Sequence, residues 1–502
     1  MIIYSHIENL LTYAKAHLFL DELDVVYVRN RLLTDLKLTG YTEYEVDCDA
    51  IEEMTNPDAV LTPIVEYAVA EGVIKEDARE AFATHVMDAV SIRPSEVADI
   101  FSGLHGRSPQ KAFDWLYDYA VKNDYVKQSR IAKNKHWDAK GTKGKLEVTI
   151  NLSKPEKNNA DIAAAKKTKE ERYPACDICV ENEGYCGHGM CRQNLRTIPL
   201  TLGGEEWFWQ FSPYSYFNQH GIAVNLSHTP MKVNGDTVRK LLDFVDFAPA
   251  YFIGCNAALP IIGGSILTHD HFQGGMKQLP MHKAPILTKL KCAEYPYVDT
   301  GIVDWYNSVV RLCGANKELM IEYASKIIAA WETYTDESIG ILAKTSEQHN
   351  GVTPVARKLD DKYVMDLIFR NNRTSEEFPD GIYHAHPEYH HIKREAIGLI
   401  EAMGLFILPG RLDGHLKEIE KYLTKEVKYS KPALPDEMKI YAPMIEKLTK
   451  EAPKCSAIEA QLNIKDEINR ICEGILDNTA VFKKDEAGTA SFLKFLDGIG
   501  IR

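Results

Sequence analysis

The sequence predicts an α+β protein in which a helical N-terminal region precedes two antiparallel sheet domains with helices. Apolar residues recur at helical spacing over roughly the first 130 residues, whereas alternating, strand-forming segments dominate from about residue 131. Two His-x-His units, at 269/271 and 384/386, each follow a strand-like segment and suggest the duplication of one sheet domain. The predicted ranges are 1–130 for the helical region, 131–337 for the first sheet domain, and 338–502 for the second with a helical tail.

Composition and charge limit the classes of function that the protein can have. A chain of 502 residues is long enough for roughly three domains. Its 45% hydrophobic and 26% charged residues are typical of globular proteins. The net charge, 59 − 72 = −13, is spread without a long block of one sign. We therefore expect no nucleic-acid partner, and an anionic substrate would need a local basic pocket.

The N-terminus and the cysteines indicate the cellular compartment of the protein. The segment Met1–His6 has no basic stretch followed by an apolar run, so we expect no secretory signal. No apolar run approaches the ~20 residues that span a bilayer, so we expect no membrane partner. Ten cysteines in 502 residues are too sparse for a disulfide scaffold. These features predict reduced thiols and a cytoplasmic protein.

The first 130 residues are predicted to form a packed helical subdomain. Its first helix places apolar residues three to four apart, and Ser108-Pro109 is a typical helix start, with serine as N-cap and proline at the first helical position. Further helices are predicted over 21–36, 58–73 and 77–91. No catalytic grouping is visible in this region.

The next region carries strands. Leu146, Val148, Ile150 and Leu152 alternate with polar residues, as in a half-buried strand. Other elements are a linker or exposed helix over 158–172, strands over 207–211, 222–226, 251–254 and 363–369, helices over 236–247 and 302–335, and a helical tail from about 412.

Cys176 and Cys179 form half of a potential metal site. Two thiolates three residues apart can face one ion and suit Zn²⁺. Cys186 and Cys191 do not repeat that spacing. A redox role is less favoured, because no thioredoxin-type junction of a strand and a helix is evident.

The central segment, Gly263–Gly275, has paired glycines at both ends and a predicted strand over 266–273. On a strand His269, His271 and Gln273 would share one face. Two imidazoles and a carboxamide fill a core poorly but hold a phosphate or a metal well. The alternative is that one histidine fills the core and the other lies on the surface.

A neutral imidazole can attack an activated phosphorus if its other nitrogen is held by an acceptor. The phosphoryl oxygens also need donors, which the Gly263-Gly264-Ser265 segment and the amide of Gln273 could supply. Glutamine cannot protonate a leaving group. The trio therefore favours an enzyme that keeps a covalent nucleotidyl intermediate for a second acceptor.

A second cluster, His384-Ala385-His386-Pro387-Glu388-Tyr389-His390-His391, allows two interpretations. It is either a structural or surface group, or a second metal site. The residues alone do not decide between them.

With its His-x-His-x-Gln motif, the chain resembles the galactose-1-phosphate uridylyltransferase family, a branch of the histidine-triad superfamily. It is most similar to the second class, found in Gram-positive bacteria. The resemblance runs essentially the full length, and its blocks are Leu152–Lys157, Cys176–Gly184, Phe211–Tyr214, His228–Lys232, Asn371–Glu377 and Leu408–Leu412.

The resemblance implies histidine-triad-like sheet domains and a ping-pong reaction. UDP-glucose would give its uridylyl group to His271 and release glucose 1-phosphate, and galactose 1-phosphate would then form UDP-galactose. Gln273 would hold the phosphoryl group, and Asn256, Gly264 and Ser265 would contact phosphate or nucleotide. The resemblance also implies a homodimer and no organic cofactor.

The resemblance also implies a structural zinc site made by Cys176, Cys179, His228 and His269, a chemically sensible Cys₂His₂ set. One departure is Asp270, which stands where the first class has proline between the motif histidines. The helical N-terminal region has no counterpart in that class. Two alternatives stay open: a related nucleotidyl transferase such as a dinucleoside-polyphosphate phosphorylase, and a zinc-stabilised binding protein without turnover.

Overall fold

The computed structural model describes residues 2–153, 173–187, 191–264 and 266–502. The predicted linker over 158–172, the end of the Leu152–Lys157 block and the candidate phosphate ligand Ser265 lie outside these residues. Within them the α+β prediction is confirmed: helices dominate the first 131 residues, and two antiparallel half-sheets with associated helices follow.

The N-terminal region contains α1 to α8, which are Ile2–His17, Val25–Asp35, Cys48–Glu52, Asp58–Ala70, Arg79–Val90, Pro94–His105, Pro109–Lys122 and Gln128–Ile131. Helix α7 begins as predicted: Ser108 Oγ accepts a hydrogen bond from the Lys111 N–H (3.4 Å), and Pro109 occupies the first turn. Its Phe113 packs edge-on against Trp209, so this region shares a core with the sheet that follows.

Ten antiparallel strands form the main sheet. They are β3 Ile198–Leu202, β4 Glu205–Phe211, β5 Gly221–Asn225, β6 Phe252–Gly254, β7 His271–Gly275, β8 Ile286–Leu290, β9 Asp299–Val303, β10 Val309–Gly314, β11 Asn350–Leu359 and β12 Lys362–Asn371. The order is β3-β4-β5-β7-β6-β11-β12-β10-β9-β8. Each half has the same internal order, and the halves meet where β6 pairs with β11. The strand order thus has the form of a duplication.

Helices α9, Gly235–Phe247, and α11, Lys317–Thr333, occupy equivalent places, since each precedes the innermost strand of its half-sheet. Both pack in the core that contains Ile253 and Phe272. Phe252, the neighbour of Ile253 in the strand, points to the other side and belongs to the core on the opposite face of the sheet. The sheet is therefore buried on both faces.

The opposite face is covered by a small sheet and by the C-terminal helices up to Thr479, whereas the last helix, Glu486–Gly498, packs in the first core. Strands β1 Lys135–Gly141 and β2 Gly144–Asn151 form a hairpin, and β13 Leu405–Pro409 joins β2 in parallel. The remaining helices are α10 Pro280–Lys283, α12 Leu399–Ala402, α13 Leu412–Leu423, α14 Ala442–Glu451, α15 Ala457–Thr479 and α16 Glu486–Gly498. Of the helices in the described part of the chain, none combines the length and the apolar character that a membrane span requires.

Two local predictions were wrong. The helix expected over 302–335 is confined to α11, because the earlier residues Val309–Gly314 form β10 between β9 and β12. The strand expected over 266–273 begins only at His271. Before it the chain bends, and the Asp270 N–H donates to the carbonyl of Thr229 (2.7 Å) instead of extending the ladder.

The histidine units do not mark the duplication that the strand order displays. His269 lies two residues before β7, whereas His384 and His386 lie in an irregular segment well after β12. The division into 1–130, 131–337 and 338–502 stays a prediction, and the main sheet is continuous across residue 338, since β10 pairs with β12.

Gly274 in β7 has no room for a side chain. A Cβ there would clash with the carbonyl oxygen of Phe252 and lie 2.9 Å from Ile253 Cδ1. We expect Gly274→Ala to lower the free energy of unfolding by about 1–3 kcal/mol, as overpacking does. Gly103→Ala in α6 is the matched control, because no heavy atom lies within 4 Å of its added Cβ. Denaturant unfolding checks both, and equal stability of the two variants would contradict the prediction.

Candidate active site

The side chain of His271 is buried at the start of β7, with 8% of its surface exposed. Its Nδ1 lies 2.8 Å from the carbonyl oxygen of His269, and since a carbonyl only accepts, Nδ1 carries the proton. Nε2 then holds the lone pair. Burial lowers the pKa of His271 below its usual value, which favours the neutral imidazole. The ring therefore has the tautomer and the charge state of a nucleophile.

Gln273 lies two residues further along β7, on the same face as His271, and is half-buried. It stands opposite Ile222 of β5 and Gly254 of β6. Gly254 has no side chain, and Leu399 occupies that space: a Cβ on Gly254 would lie 2.8 Å from Leu399 Cδ1. The segment around Leu399 therefore lies against the sheet beside Gln273.

Asn256 follows β6 and joins two loops. Its Oδ1 accepts a hydrogen bond from the Leu399 N–H (2.7 Å), and its Nδ2 lies beside Gly264, where an added Cβ would be 3.1 Å away. Gly264 has a φ of +79°, which a residue with a side chain rarely adopts. The structure thus brings Asn256 and Gly264 together, while Ser265 lies outside the described residues.

The four predicted metal ligands converge. The ligand atoms of Cys176, Cys179, His228 and His269 all lie within 4.8 Å of one another. Cys176 Sγ is 3.4 Å from Cys179 Sγ and 3.3 Å from His269 Nδ1, and Cys179 Sγ is 3.3 Å from His228 Nδ1. The two cysteines lie in an irregular segment, His228 lies in the turn after β5, and His269 lies two residues before β7. The cluster could bind a metal ion.

The spacing of the cluster fits a tetrahedral ion. With Zn–S of about 2.3 Å and Zn–N of about 2.0 Å, ligand atoms would be roughly 3.4–3.8 Å apart. Cys176 supplies a thiolate, because the hydrogen bond from Cys179 lowers its pKa. His269 Nε2–H donates to the carbonyl of Asn225 (2.7 Å), which leaves its Nδ1 free to coordinate. The donor types, the tautomer of His269 and the four shortest ligand distances, 3.3–3.5 Å, agree with such a site.

The histidines at 384–391 are held by the backbone. His384 Nε2 accepts from the Ile397 N–H (3.2 Å), and His386 Nε2–H donates to the carbonyl of Ile382 (2.9 Å). Across the described ranges, the Cys176 cluster is the one set of three or more side chains arranged to hold a metal. The structural interpretation of the second histidine cluster is therefore favoured.

Sequence reasoning missed a group of buried charges near Leu399. Lys393 Nζ donates to Glu401 (3.1 Å) and to the carbonyl of Ile407 (2.9 Å). Arg370 is fully buried in β12 and donates from Nη2 to the carbonyl of Ile397 (2.8 Å). An arginine directly after the strand-like run Leu367-Ile368-Phe369 was the available sequence signal. These groups place positive charge inside an otherwise acidic protein.

The chain matches known proteins along nearly all of its length. The model of the galactose-1-phosphate uridyl transferase N-terminal domain matches residues 19–230, and that of the C-terminal domain matches residues 244–436. A galactose-1-phosphate uridylyltransferase of Fusobacterium nucleatum is 40% identical over 515 residues, covering 100% of both chains. That of Ligilactobacillus salivarius is 41% identical, covering 96% of this chain and 95% of its own.

Among solved structures, the yeast Ap4A phosphorylase Apa2 aligns with 59% of this chain and 89% of its own, at 10% identity and a TM-score of 0.32. That similarity is too low to bear on the fold or function of this chain. The two family domains and the full-length relatives are decisive: the chain belongs to the galactose-1-phosphate uridylyltransferase family.

Proposed function

We propose that the protein is a UDP-glucose–hexose-1-phosphate uridylyltransferase that forms UDP-galactose in galactose metabolism. Family membership supports the reaction class, since the relatives are named for it. The observation that carries the proposal is the buried His271, whose Nδ1–H is fixed on the His269 carbonyl at 2.8 Å.

In the first half-reaction, Nε2 of His271 attacks the α-phosphorus of UDP-glucose. A P–N bond forms as the P–O bond to the β-phosphate breaks, and glucose 1-phosphate leaves with that electron pair. The His269 carbonyl keeps the Nδ1 proton and stabilises the positive charge that develops on the ring. Glucose 1-phosphate is a stable anion, so its departure requires no general acid.

In the second half-reaction, a phosphate oxygen of galactose 1-phosphate attacks the same phosphorus and the P–N bond breaks. UDP-galactose leaves, and His271 returns to the neutral tautomer. Gln273, on the same face, donates from its amide to the phosphoryl oxygens in both steps. Asn256, Gly264 and Ser265 would contact nucleotide and phosphate.

The Cys176, Cys179, His228 and His269 cluster would hold a structural zinc ion. When bound, the metal supplies rigidity, because it fixes the ring of His269, whose backbone carbonyl orients His271. A cytoplasmic homodimer without an organic cofactor, as expected from the sequence, completes the proposal.

Incubation of the purified protein with UDP-glucose labelled in the uridylyl group tests the reaction. We expect one label per active site in an adduct that is acid-labile and base-stable, as a phosphoramidate is, and its discharge by galactose 1-phosphate as labelled UDP-galactose. Labelling by dinucleoside polyphosphates but not by UDP-glucose would identify the phosphorylase alternative. No labelling by either would favour a binding protein without turnover.

Gln273→Ala is expected to lower the rate of uridylylation by about 10²–10³, the usual effect of losing one transition-state donor. Binding of UDP-glucose should change much less, because the amide acts mainly on charge that develops during transfer. Single-turnover kinetics and equilibrium binding separate the two effects. A variant with wild-type transfer rates would remove Gln273 from the mechanism.

A further inference from the structure

The segment that leads into β5 touches both the helical N-terminal region and the active-site strand. It comprises residues 212–220, which we name the 212–220 turn. We propose that His220 at its end is a positioning residue that orients the Gln273 amide, and that Asp114 of helix α7 holds His220 in place through Gln219. The inference rests on the proposed function and assigns a role to the helical region.

The first link joins α7 to the turn. Gln219 Nε2 donates to Asp114 Oδ1 (2.7 Å), and Gln110 Nε2 donates to the same oxygen (2.8 Å). The hydroxyl of Tyr251 donates to Gln219 Oε1, so both ends of the Gln219 amide are bound. Gln219 has a φ of +54°, a conformation that residues with side chains rarely adopt without support. The side-chain hydrogen bonds supply that support.

The second link is the imidazole of His220, which is 3% exposed. Its Nδ1 accepts from the Tyr216 N–H (3.5 Å), so the proton is on Nε2. The ring stacks on that of Tyr216, with centroids 5.0 Å apart and planes at 21°, and contacts Phe217. Burial lowers the pKa of His220 to about 4, so the ring is neutral. Tautomer, charge and ring plane are all fixed.

The third link reaches Gln273. His220 lies two residues before Ile222, which stands opposite Gln273, so the register of β5 and β7 brings the two side chains to the same face of the sheet. His220 Nε2 is buried and has no hydrogen-bond partner among the described residues. The neighbouring Gln273 also opposes the effect of burial on the His220 pKa. Only the carbonyl end of an amide can accept from Nε2–H. Such a contact would turn the Gln273 NH₂ away from His220, toward the position that the proposed reaction gives the phosphoryl group.

Backbone contacts also join the 212–220 turn to strand β7. Gly221, next to His220, pairs with Gly274, and a Cβ on Gly275 would lie 2.8 Å from the carbonyl oxygen of Gln219. A shift of the 212–220 turn would therefore move the end of β7 and the Gln273 side chain with it. Displacements of about 1 Å can cost up to about 10²-fold in rate.

A double-mutant cycle tests the proposal. His220→Phe keeps an aromatic ring for stacking but removes the N–H, and we expect it to slow uridylylation in a single turnover by about 10-fold to 10²-fold, with UDP-glucose affinity changed far less. In a Gln273→Ala background the same substitution should have little further effect, because the amide that it orients is gone. His220→Asn, which retains an N–H donor, should recover part of the rate.

Asp114→Ala extends the cycle to α7. The fold should tolerate this substitution, because Asp114 is exposed at the surface. It should lower the rate in the wild-type background and not in Gln273→Ala. Asp118→Ala on the same helix, which loses only a surface ion pair with Lys122, is the control. Multiplicative losses with Gln273→Ala, or unchanged rates, would overturn the proposal. Absence of labelling in the wild-type protein would instead overturn the proposed function.

Discussion

His271→Ala is expected to lower uridylyl transfer by at least about 10⁴-fold, to the background of the assay. In the proposed reaction Nε2 is the atom that bonds to phosphorus, so its removal eliminates the covalent route instead of weakening one contact. His269 cannot replace it, since its Nδ1 faces Cys176 and Cys179 and its Nε2 donates to the carbonyl of Asn225. Labelling with UDP-glucose and exchange between UDP-glucose and glucose 1-phosphate both measure the loss.

The folded state should survive that substitution. The His271 side chain contributes no atom to the metal cluster, so metal content should stay unchanged. His6→Ala on α1, a partly exposed histidine of the helical region, is the matched control and should keep wild-type transfer. Near-wild-type transfer by His271→Ala would refute the mechanism, while loss of metal would show that the substitution had disturbed the fold.

The sequence was most informative where one local pattern decided the structure. The α7 start at Ser108-Pro109 and the strand β2 need only neighbouring residues, and both were predicted. The alternating burial expected in β2 is not found, since all four residues over Val148–Asn151 are buried. Cys176, Cys179, His228 and His269 are up to 93 residues apart along the chain, and family resemblance rather than spacing grouped them. The structure adds that the four ligand atoms lie within 4.8 Å of one another, which the resemblance alone does not show.

Features that depend on tertiary contacts were missed. Val309–Gly314 can be read as helix or strand, and its pairing with β9 and β12 decides for strand. The chain over 266–270 bends because Thr229 and the metal cluster hold it, although its residues alternate like a strand. The hydrogen bonds of Gln219 and Arg370 follow no local pattern, since their partners Asp114 and Ile397 lie 105 and 27 residues away along the chain.

Cys176→Ser should release the metal and weaken both stability and catalysis. Structural zinc in small domains contributes about 10–16 kcal/mol of binding free energy, which is also folding free energy where the site does not exist in the unfolded chain. Replacing one thiolate by a hydroxyl removes a strong ligand. We expect about one zinc ion per wild-type chain and almost none in the variant, by elemental analysis, together with a lower midpoint of thermal unfolding. Cys186→Ser is the control, because Cys186 is exposed and lies outside the cluster.

The catalytic part of that expectation follows from the position of His269. Its ring belongs to the cluster, and its own carbonyl accepts the Nδ1–H of His271 at 2.8 Å. A ring released from the metal lets the backbone before β7 move, so the carbonyl no longer fixes the tautomer of the nucleophile. Loss of a group that orients a catalytic or metal-binding side chain typically costs about 10- to 100-fold, and we expect roughly that decrease in the uridylylation rate of the folded Cys176→Ser protein. Unchanged zinc content would refute the metal assignment, whereas zinc loss with full activity would show that His271 is oriented by β7 alone.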